Sequence, residues 1–226
     1  METLGKLASG VAHEVNNPLG VIMQGVDYIA ANTKTQDKNL RYAIDAINEA
    51  ALRANLIIND LLNFSRISDI QMLPEDINVV INGSLLLLKN DIASSHVTIT
   101  TDLDPNLPKI PMDKNRMIQV YINIVMNAIH AMSESKVKKL KIITRSRSAQ
   151  NGRQIVVLKV EDTGMGLAKD VAEKMFEPFF TTKEIGKGTG LGLPIVKNIV
   201  ESHNGSIRIE NRNAVKGARV IIEFKV

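Results

Sequence analysis

The spacing of apolar residues changes about a third of the way along this chain, and this change constrains the fold more than any other feature. Up to about Ile67, apolar side chains recur every three or four residues, which is the period of an amphipathic helix. They form two stripes: Leu4, Leu7, Val11, Val15, Leu19, Ile22 and Val26, then Leu40, Ile44, Ile47, Ala51, Ala54, Ile58, Leu61 and Phe64. A polar break over residues 32–37 has the length of a hairpin loop. We therefore predict two long helices joined by a turn.

A hairpin of two helices cannot bury two wide apolar stripes by itself. Two copies of such a hairpin can pack their stripes together in a four-helix bundle, which removes the apolar surface from water. We therefore expect the chain to form a homodimer through its first 67 residues.

Beyond a boundary near residues 68–74, helical and strand periods alternate. The pattern predicts helices over 77–92 (after a short strand), 113–132 and 190–203, and strands over 97–103, 140–147, 154–160, 206–211 and 218–226. Helices combined with antiparallel-type strands indicate a layered α+β domain. We expect a helical domain over residues 1–67, a hinge over 68–75 and a second domain over 76–226.

The composition excludes several classes of protein. The chain of 226 residues contains no cysteine, which excludes disulfides, thiolate zinc sites and a cysteine nucleophile. No apolar run approaches the roughly 18 residues of a membrane span, and the N-terminus lacks the character of a signal peptide. We expect a soluble, cytoplasmic chain without direct membrane insertion. The net charge of +4 is spread out, and the basic cluster at 136–141 lacks interleaved aromatics, so we expect no nucleic-acid partner.

Two glycine-rich segments are candidates for contact with a phosphate-bearing ligand. One, at 161–166, follows a predicted strand, and the other, at 186–192, leads into a predicted helix. Glycine lets backbone N–H groups approach a phosphate, and a helix N-terminus favours negative charge. The second segment lacks the spacings of a P-loop and of a dinucleotide fingerprint, and a flexible loop before a helix is an equal alternative. Asp162 could accept a hydrogen bond from an exocyclic amine, although a turn-forming aspartate is the more common case.

Asn123 and Asn127 lie one turn apart on a predicted helix and therefore share a face. Their neighbours are mostly apolar, and buried amides need partners. A Mg²⁺ ion with phosphate oxygens would supply those partners. Capping or surface roles for the two residues are the alternative.

Of the four histidines, His13 has the most informative neighbours. A neutral imidazole is a competent nucleophile towards a phosphoryl group, and the adjacent Glu14 can fix its tautomer and accept a proton. Asn17 follows one helical turn later, and Pro18 removes an N–H just beyond it. We predict structural roles for the other histidines: His96 precedes a strand and His203 suits the dipole at a helix end. His130 is a weaker candidate for contact with phosphate.

Taken together, these motifs resemble the catalytic core of a two-component sensor histidine kinase over nearly the whole chain. Five motifs carry the resemblance in the family's order: the phospho-acceptor box at 12–18, the asparagine box at 123–128, the first glycine box at 162–166, the phenylalanine box at 176–180 and the second glycine box at 188–193. The resemblance implies a two-helix hairpin that forms a four-helix bundle in a dimer, followed by an α/β-sandwich ATP-binding domain.

The resemblance also implies roles for particular residues. ATP would phosphorylate His13, Glu14 would act as general base, and Asn17 would position water when phosphate is removed from a partner. Asn127, helped by Asn123, would ligate Mg²⁺, and Asp162 would accept from the adenine amine. Further nucleotide-binding candidates line the adenine pocket, the lid over 176–187 or the triphosphate site: Gly164, Gly166, Phe179, Lys183, Lys187, Gly188, Thr189, Gly190, Leu191 and Gly192.

The partner implied by the resemblance is the receiver domain of a response regulator, which would take the phosphoryl group on an aspartate. Because the helical stripe already runs at Leu4 without a clear N-cap, we expect Met1 to begin a shortened chain or a kinase whose signal arrives from another chain. One alternative is an ATPase of the gyrase, mismatch-repair and chaperone group, which would have no use for the His13 motif. Another is a non-catalytic, ATP-gated scaffold or a phosphatase-biased module that binds the regulator.

Overall fold

The structure is a computed structural model that describes residues 15, 18–31, 38–65, 71–148, 152–183, 188–213 and 215–226. Its backbone divides into two compact units. One unit comprises Met1–Asp69 together with Thr181–Leu191, and the other comprises Ile70–Phe180 together with Gly192–Val226. We call them the helical unit and the α/β unit.

The helical unit contains the two helices that the apolar period predicts. Helix α1 covers residues 18–31 and helix α2 covers Lys38–Ser65; the predicted turn at 32–37 lies outside the described residues. Val26, Ile44 and Ala51 are buried. Several large apolar side chains on the same helices remain exposed within a single chain: Val21, Ile22, Tyr28, Ile29, Leu40, Tyr42 and Ile47.

The α/β unit combines a five-stranded sheet, a two-stranded sheet and five helices among its described residues. In chain order its elements are β1 (Leu73–Glu75), α3 (Ile77–Leu87), α4 (Lys89–Ser94), β2 (Thr98–Leu103), β3 (Ile110–Met112), α5 (Lys114–Ala131), β4 (Lys139–Ser148), β5 (Gln154–Glu161), α6 (Lys169–Lys174), α7 (Gly192–Ser202), β6 (Gly205–Asn211) and β7 (Ala218–Lys225). The large sheet has the order β2-β4-β5-β7-β6, and β1 pairs with β3. The predicted α+β class is confirmed.

The strand pairings differ from the predicted antiparallel type at one place. Strands β2 and β4 are parallel, with Thr98 opposite Lys139, whereas the other pairs in the large sheet are antiparallel. The connection from β2 to β4 contains β3 and helix α5, and a connection of that length can cross over to form a parallel pair.

Short elements account for the other differences. The short strand predicted before residue 77 is β1, whereas the three-residue strand β3 and the six-residue helix α6 were not predicted, because so few residues show no period. The helix predicted over 77–92 is two helices, α3 and α4, which meet at Leu88. Helix α5 begins where the sequence indicates, because the Asp113 side chain accepts hydrogen bonds from the backbone N–H groups of Asn115 and Arg116.

The core of the α/β unit lies between one face of the large sheet and helices α3, α5 and α7, which pack side by side. Alternate residues of the central strands are buried, including Leu140, Ile142, Leu158, Ile222 and Phe224. The opposite face of the sheet carries ion pairs between neighbouring strands. They include Arg145–Asp102 at 2.8 Å, Arg219–Glu161 at 2.6 Å, Arg219–Glu210 at 3.3 Å and Arg208–Glu223 at 3.2 Å. The unit is therefore a two-layer α/β sandwich.

Within the ranges that the structure describes, none of the helices has both the length and the apolar character that crossing a membrane requires.

Candidate nucleotide site

Asp162 stands directly after strand β5, where the chain leaves the sheet. Its side chain is 5% exposed, and its Oδ1 accepts hydrogen bonds from the backbone N–H groups of Gly164 (2.7 Å) and Ala218 (3.1 Å). Among the described residues, no group donates a hydrogen bond to Oδ2. Burial raises the pKa of the Asp162 carboxyl above its ordinary value, and the two backbone hydrogen bonds and the charge of Arg212 oppose that rise. One oxygen is thus held in place, and the other is left to accept from a ligand.

Asp162 and the five residues after it, 162–167, form a segment that we call the Asp162 loop. Position 164 in this loop requires glycine for steric reasons. A Cβ atom at Gly164 would lie 2.6 Å from the carbonyl oxygen of Ala131, at the end of helix α5. The same carbonyl accepts a hydrogen bond from the Met165 N–H at 3.1 Å. The loop therefore lies directly against the C-terminal end of α5.

Thr163 anchors the Asp162 loop on its other side, a role that was not predicted from the sequence. Its hydroxyl donates to the carbonyl oxygen of Val137 at 2.6 Å and accepts from the N–H of Lys139 at 2.9 Å. These bonds tie the loop to the chain that enters strand β4. A threonine beside a turn aspartate gives no sequence signal that separates this role from ordinary turn formation.

Asn123 and Asn127 lie on helix α5, one turn apart and half-buried. In the described part of the chain, neither side-chain amide has a hydrogen-bond partner. A Cβ atom at Gly192, the first residue of helix α7, would lie 3.6 Å from the Asn123 Oδ1 atom. The described residues contain no cluster of three or more histidine or carboxylate side chains suited to a metal ion. Two unpartnered amide oxygens nevertheless fit Mg²⁺, which binds few protein oxygens and completes its shell with water and phosphate.

The described part of the second glycine segment, Gly188 to Leu191, belongs to the helical unit. A Cβ atom at Gly188 would lie 2.9 Å from the Lys183 Cδ atom, and the hydroxyl of Thr189 accepts from the Leu191 N–H at 3.3 Å. Burial lowers the pKa of the Lys183 ammonium. Gly190 has a φ of +70°, and Leu191 is 1% exposed.

Phe179 belongs to the α/β unit and has an unusual backbone. Its φ is +67°, a left-handed conformation that is rare for an aromatic residue. Its side chain is 62% exposed. Strain and exposure together are typical of a segment that functions by contacting something else.

Four of the predicted site residues lie outside the described residues: His13, Glu14, Asn17 and Lys187. Their roles stay predictions from the sequence.

The structure confirms the predicted position of His203 at the end of helix α7 and corrects its electrostatic role. We expected its imidazole to suit the dipole at a helix end, but the side chain is 3% exposed, and burial lowers its pKa. Its Nε2 accepts a hydrogen bond from the Asp113 N–H at 2.9 Å, and its Nδ1 lies 2.7 Å from the Ile199 carbonyl oxygen. Both contacts are satisfied by a neutral ring with the proton on Nδ1. His203 therefore connects the end of α7 to the start of α5 without a charge.

Comparison with known proteins agrees with this geometry. The family described as "Histidine kinase-, DNA gyrase B-, and HSP90-like ATPase" matches residues 112–226, and the "His Kinase A (phospho-acceptor) domain" matches residues 3–70. The sensor histidine kinase ZraS of Klebsiella oxytoca is 37% identical over 208 residues, which cover 92% of this chain and 43% of ZraS. The chain spans less than half the length of such relatives.

Solved structures of histidine kinases are also similar to this chain. The catalytic domain of histidine kinase ThkA matches 70% of this chain and 96% of its own, with a TM-score of 0.55 and 31% identity. Histidine kinase ThkA in complex with response regulator protein TrrA matches 98% of this chain and 61% of its own, with a TM-score of 0.67 and 27% identity.

The α/β sandwich and its buried aspartate before a glycine loop define the class. The chain belongs to the histidine kinase-, DNA gyrase B- and HSP90-like ATPase family. Since a phospho-acceptor domain precedes the ATPase region, the chain is the catalytic core of a two-component sensor histidine kinase. The family predicted from the five sequence motifs is confirmed.

Proposed function

We propose that this chain binds ATP at the Asp162 loop, transfers the γ-phosphoryl group to His13, and passes it to an aspartate of a response regulator. The observation that carries the proposal is the state of the Asp162 carboxylate. Two backbone N–H groups hold Oδ1, and no described group donates to Oδ2.

The Oδ2 atom of the Asp162 carboxylate is complementary to the adenine base. Adenine presents an exocyclic amine, which donates hydrogen bonds, and Oδ2 is an acceptor in a buried setting. A hydrogen bond made away from water to a charged acceptor is stronger than one made between neutral groups. Gly164 and Gly166 let the loop lie against the Ala131 carbonyl oxygen and the Asn211 amide, because a Cβ atom at either position would collide there.

The amide oxygens of Asn127 and Asn123 would hold Mg²⁺ at the phosphates. Bound there, the ion would neutralise charge that builds up on the phosphate oxygens as the phosphoryl group moves. Lys183 and Lys187 would add positive charge, and the backbone N–H groups of Gly188, Thr189, Gly190, Leu191 and Gly192 would donate to the phosphates. Phe179 stands in the lid over 176–187.

The transfer forms a bond from the imidazole nitrogen of His13 to the γ-phosphorus and breaks the bond to the bridging oxygen of ADP. Glu14 accepts the proton that the ring releases. Such a transfer needs alignment and charge neutralisation more than covalent help from the protein. We also propose that residues 1–67 and 76–226 act as separate domains joined by a hinge over 68–75. Such a hinge would let ADP leave before the regulator reaches the phosphohistidine.

The partners in the proposal are a second copy of this chain and a receiver domain. Exposed apolar residues on α1 and α2, such as Val21, Tyr42 and Ile47, would be covered if two hairpins formed a four-helix bundle. The ThkA structure contains response regulator protein TrrA, which supports a regulator as the acceptor. Asn17 would position water if the chain also removes phosphate from that regulator.

The direct test incubates the purified chain with Mg²⁺ and γ-labelled ATP beside His13→Gln and Asn127→Ala variants. We expect label that is acid-labile and base-stable in the unchanged chain and absent from both variants. Label that persists in His13→Gln would refute the nucleophile. A chain that binds ATP but never takes label would support a scaffold or a phosphatase-biased module instead.

A further inference from the structure

The end of strand β6, the turn that follows it and the start of strand β7 contact both ends of the Asp162 loop, although no recognised motif includes these residues. At the far end of the loop, the Asn211 side chain forms two hydrogen bonds with the backbone of Leu167. Its Oδ1 accepts from the Leu167 N–H at 2.7 Å, and its Nδ2 donates to the Leu167 carbonyl oxygen at 2.8 Å. One amide thus replaces the pair of hydrogen bonds that a neighbouring strand would make.

The near end of the loop is held by the turn after β6 and by the first residue of β7. Arg212 donates from Nη1 to the Asp162 carbonyl oxygen at 2.9 Å, and its Nη2 lies 3.7 Å from the Glu161 carboxylate. The Ala218 N–H donates to Asp162 Oδ1, as described above. A Cβ atom at Gly217 would collide with the Asp162 carbonyl oxygen, so the turn lies directly against the loop.

Gly166 shows how closely Asn211 approaches the loop. It has a φ of +79°, and a Cβ atom at this position would lie 2.8 Å from the Asn211 Oδ1 atom. The loop is therefore shaped around the Asn211 amide as well as around Asp162.

We propose that Asn211 is a positioning residue for the nucleotide: it holds the Asp162 loop in its ATP-receptive shape before ATP arrives. The inference rests on the proposed function, because it takes the Asp162 loop to be the adenine site. The loop contains two glycines, which give it many alternative backbone conformations. A side chain that removes those conformations in advance lowers the entropic cost of binding. Asn211 itself is exposed, so its contribution falls on loop order rather than on the core.

The test measures ATP binding by the full 226-residue chain and its Asn211→Ala variant by calorimetry. Asn211→Ala removes both hydrogen bonds to the Leu167 backbone, and a tenfold change in affinity corresponds to about 1.4 kcal/mol. We expect Asn211→Ala to weaken ATP binding about tenfold. Asn213→Ala is the matched control, because it removes the same side chain two residues further along the turn; we expect less than a twofold effect. Asn211→Asp keeps the acceptor for the Leu167 N–H but loses the donor, so it should restore part of the affinity.

Two further measurements separate positioning from a general structural role. The ATP concentration for half-maximal labelling should rise about tenfold in Asn211→Ala, while the maximal labelling rate and the urea midpoint stay nearly unchanged. Amide hydrogen exchange at Leu167 should accelerate in Asn211→Ala without ATP and stay the same in Asn213→Ala. Gly166→Ala should weaken ATP binding less in the Asn211→Ala background than in the unchanged chain, because the collision with Oδ1 is then absent.

The outcomes distinguish this inference from the proposed function. If the unchanged chain does not bind ATP, the proposed function fails, and this inference fails with it. If the unchanged chain binds ATP and Asp162→Asn does not, but Asn211→Ala binds normally, the adenine site stands and the positioning role is refuted. Additive effects of Gly166→Ala and Asn211→Ala would also refute it.

Discussion

Replacing Asp162 with asparagine should remove ATP binding while leaving the ligand-free protein at least as stable. The substitution keeps an oxygen to accept from the Gly164 and Ala218 N–H groups, but it puts an NH₂ group in place of Oδ2. Asparagine also removes a charge from a site where only 5% of the side chain is exposed. The affinity for ATP should therefore fall, while the free energy of unfolding stays the same or rises.

The loss of affinity for ATP follows from two hydrogen-bond donors that would face one another in the variant. In Asp162→Asn, the adenine amine and the new NH₂ group are two donors facing one another, and each unsatisfied donor costs about 1–3 kcal/mol. Two of them cost roughly 2–6 kcal/mol, which corresponds to weakening of roughly 30- to 20,000-fold. ADP should lose affinity by the same factor as ATP, because both carry the same base.

The stability change follows from the raised pKa of Asp162. Because the folded state binds this proton more tightly than the unfolded state, ionisation destabilises the fold above the raised pKa. That penalty is relieved as pH falls through the folded pKa. The advantage of Asp162→Asn in urea unfolding should therefore be largest at neutral pH and shrink as the solution is acidified.

Asp102→Asn is a suitable control for this prediction. Asp102 is exposed on strand β2, and its hydrogen bond with Arg145 lowers its pKa. The control should bind ATP normally and lose a little stability at neutral pH. If Asp162→Asn bound ATP as tightly as the unchanged chain, the adenine assignment would be wrong. If it unfolded more easily at neutral pH, the argument from charge burial would be wrong.

Three other predictions test the packing of the α/β unit. Tyr121→Phe should raise the free energy of unfolding by about 1 kcal/mol, since the buried Tyr121 hydroxyl has no partner among the described residues; a loss of stability in urea would contradict this. Gly217→Ala should lower the free energy of unfolding by about 2–4 kcal/mol, because its Cβ atom meets the Asp162 carbonyl at a φ of +133°. Gly83→Ala, in open space on α3, should instead raise the free energy of unfolding by up to about 1 kcal/mol. Equal effects of the two substitutions would rule the collision out. The unchanged chain should lose stability as pH falls below 6.5, the ordinary pKa of His203, by at most about 1.4 kcal/mol per pH unit, and His203→Gln should lack that loss; matching pH profiles would exclude His203.

The parts of the fold predicted from sequence are those in which a single local period repeats. Helix α5 was predicted because one long amphipathic pattern runs over residues 113–132, and the structure adds that Asp113 is its N-cap. The parallel pairing of β2 with β4 was not, because the partners lie about 40 residues apart and strand spacing does not encode direction. The buried position of His203 depends in the same way on a contact with Asp113, 90 residues away.

In the candidate site, too, the sequence predicted the residues that form a local pattern and missed those that depend on distant contacts. Asp162, Gly164 and Gly166 were predicted because a strand, a carboxylate and glycines follow one another within a few residues. Thr163 and Asn211 were missed, because each is recognised only by the distant backbone that it contacts. Residues that hold a loop in place are ordinary polar residues in the sequence, and only the fold shows what they hold.

The ion pairs on the open face of the sheet have a consequence for how strands β6 and β7 find their alignment. Exposed ion pairs add little stability, but Glu210 lies directly opposite Arg219 in the native pairing. Sliding β6 by two residues, which keeps the same side chains on the buried face, would put Arg219 opposite Arg208 in one direction and opposite Arg212 in the other. Like charges directly opposite one another repel. These arginines therefore disfavour both two-residue shifts of β6 against β7, the two strands of the hairpin that holds the Asp162 loop.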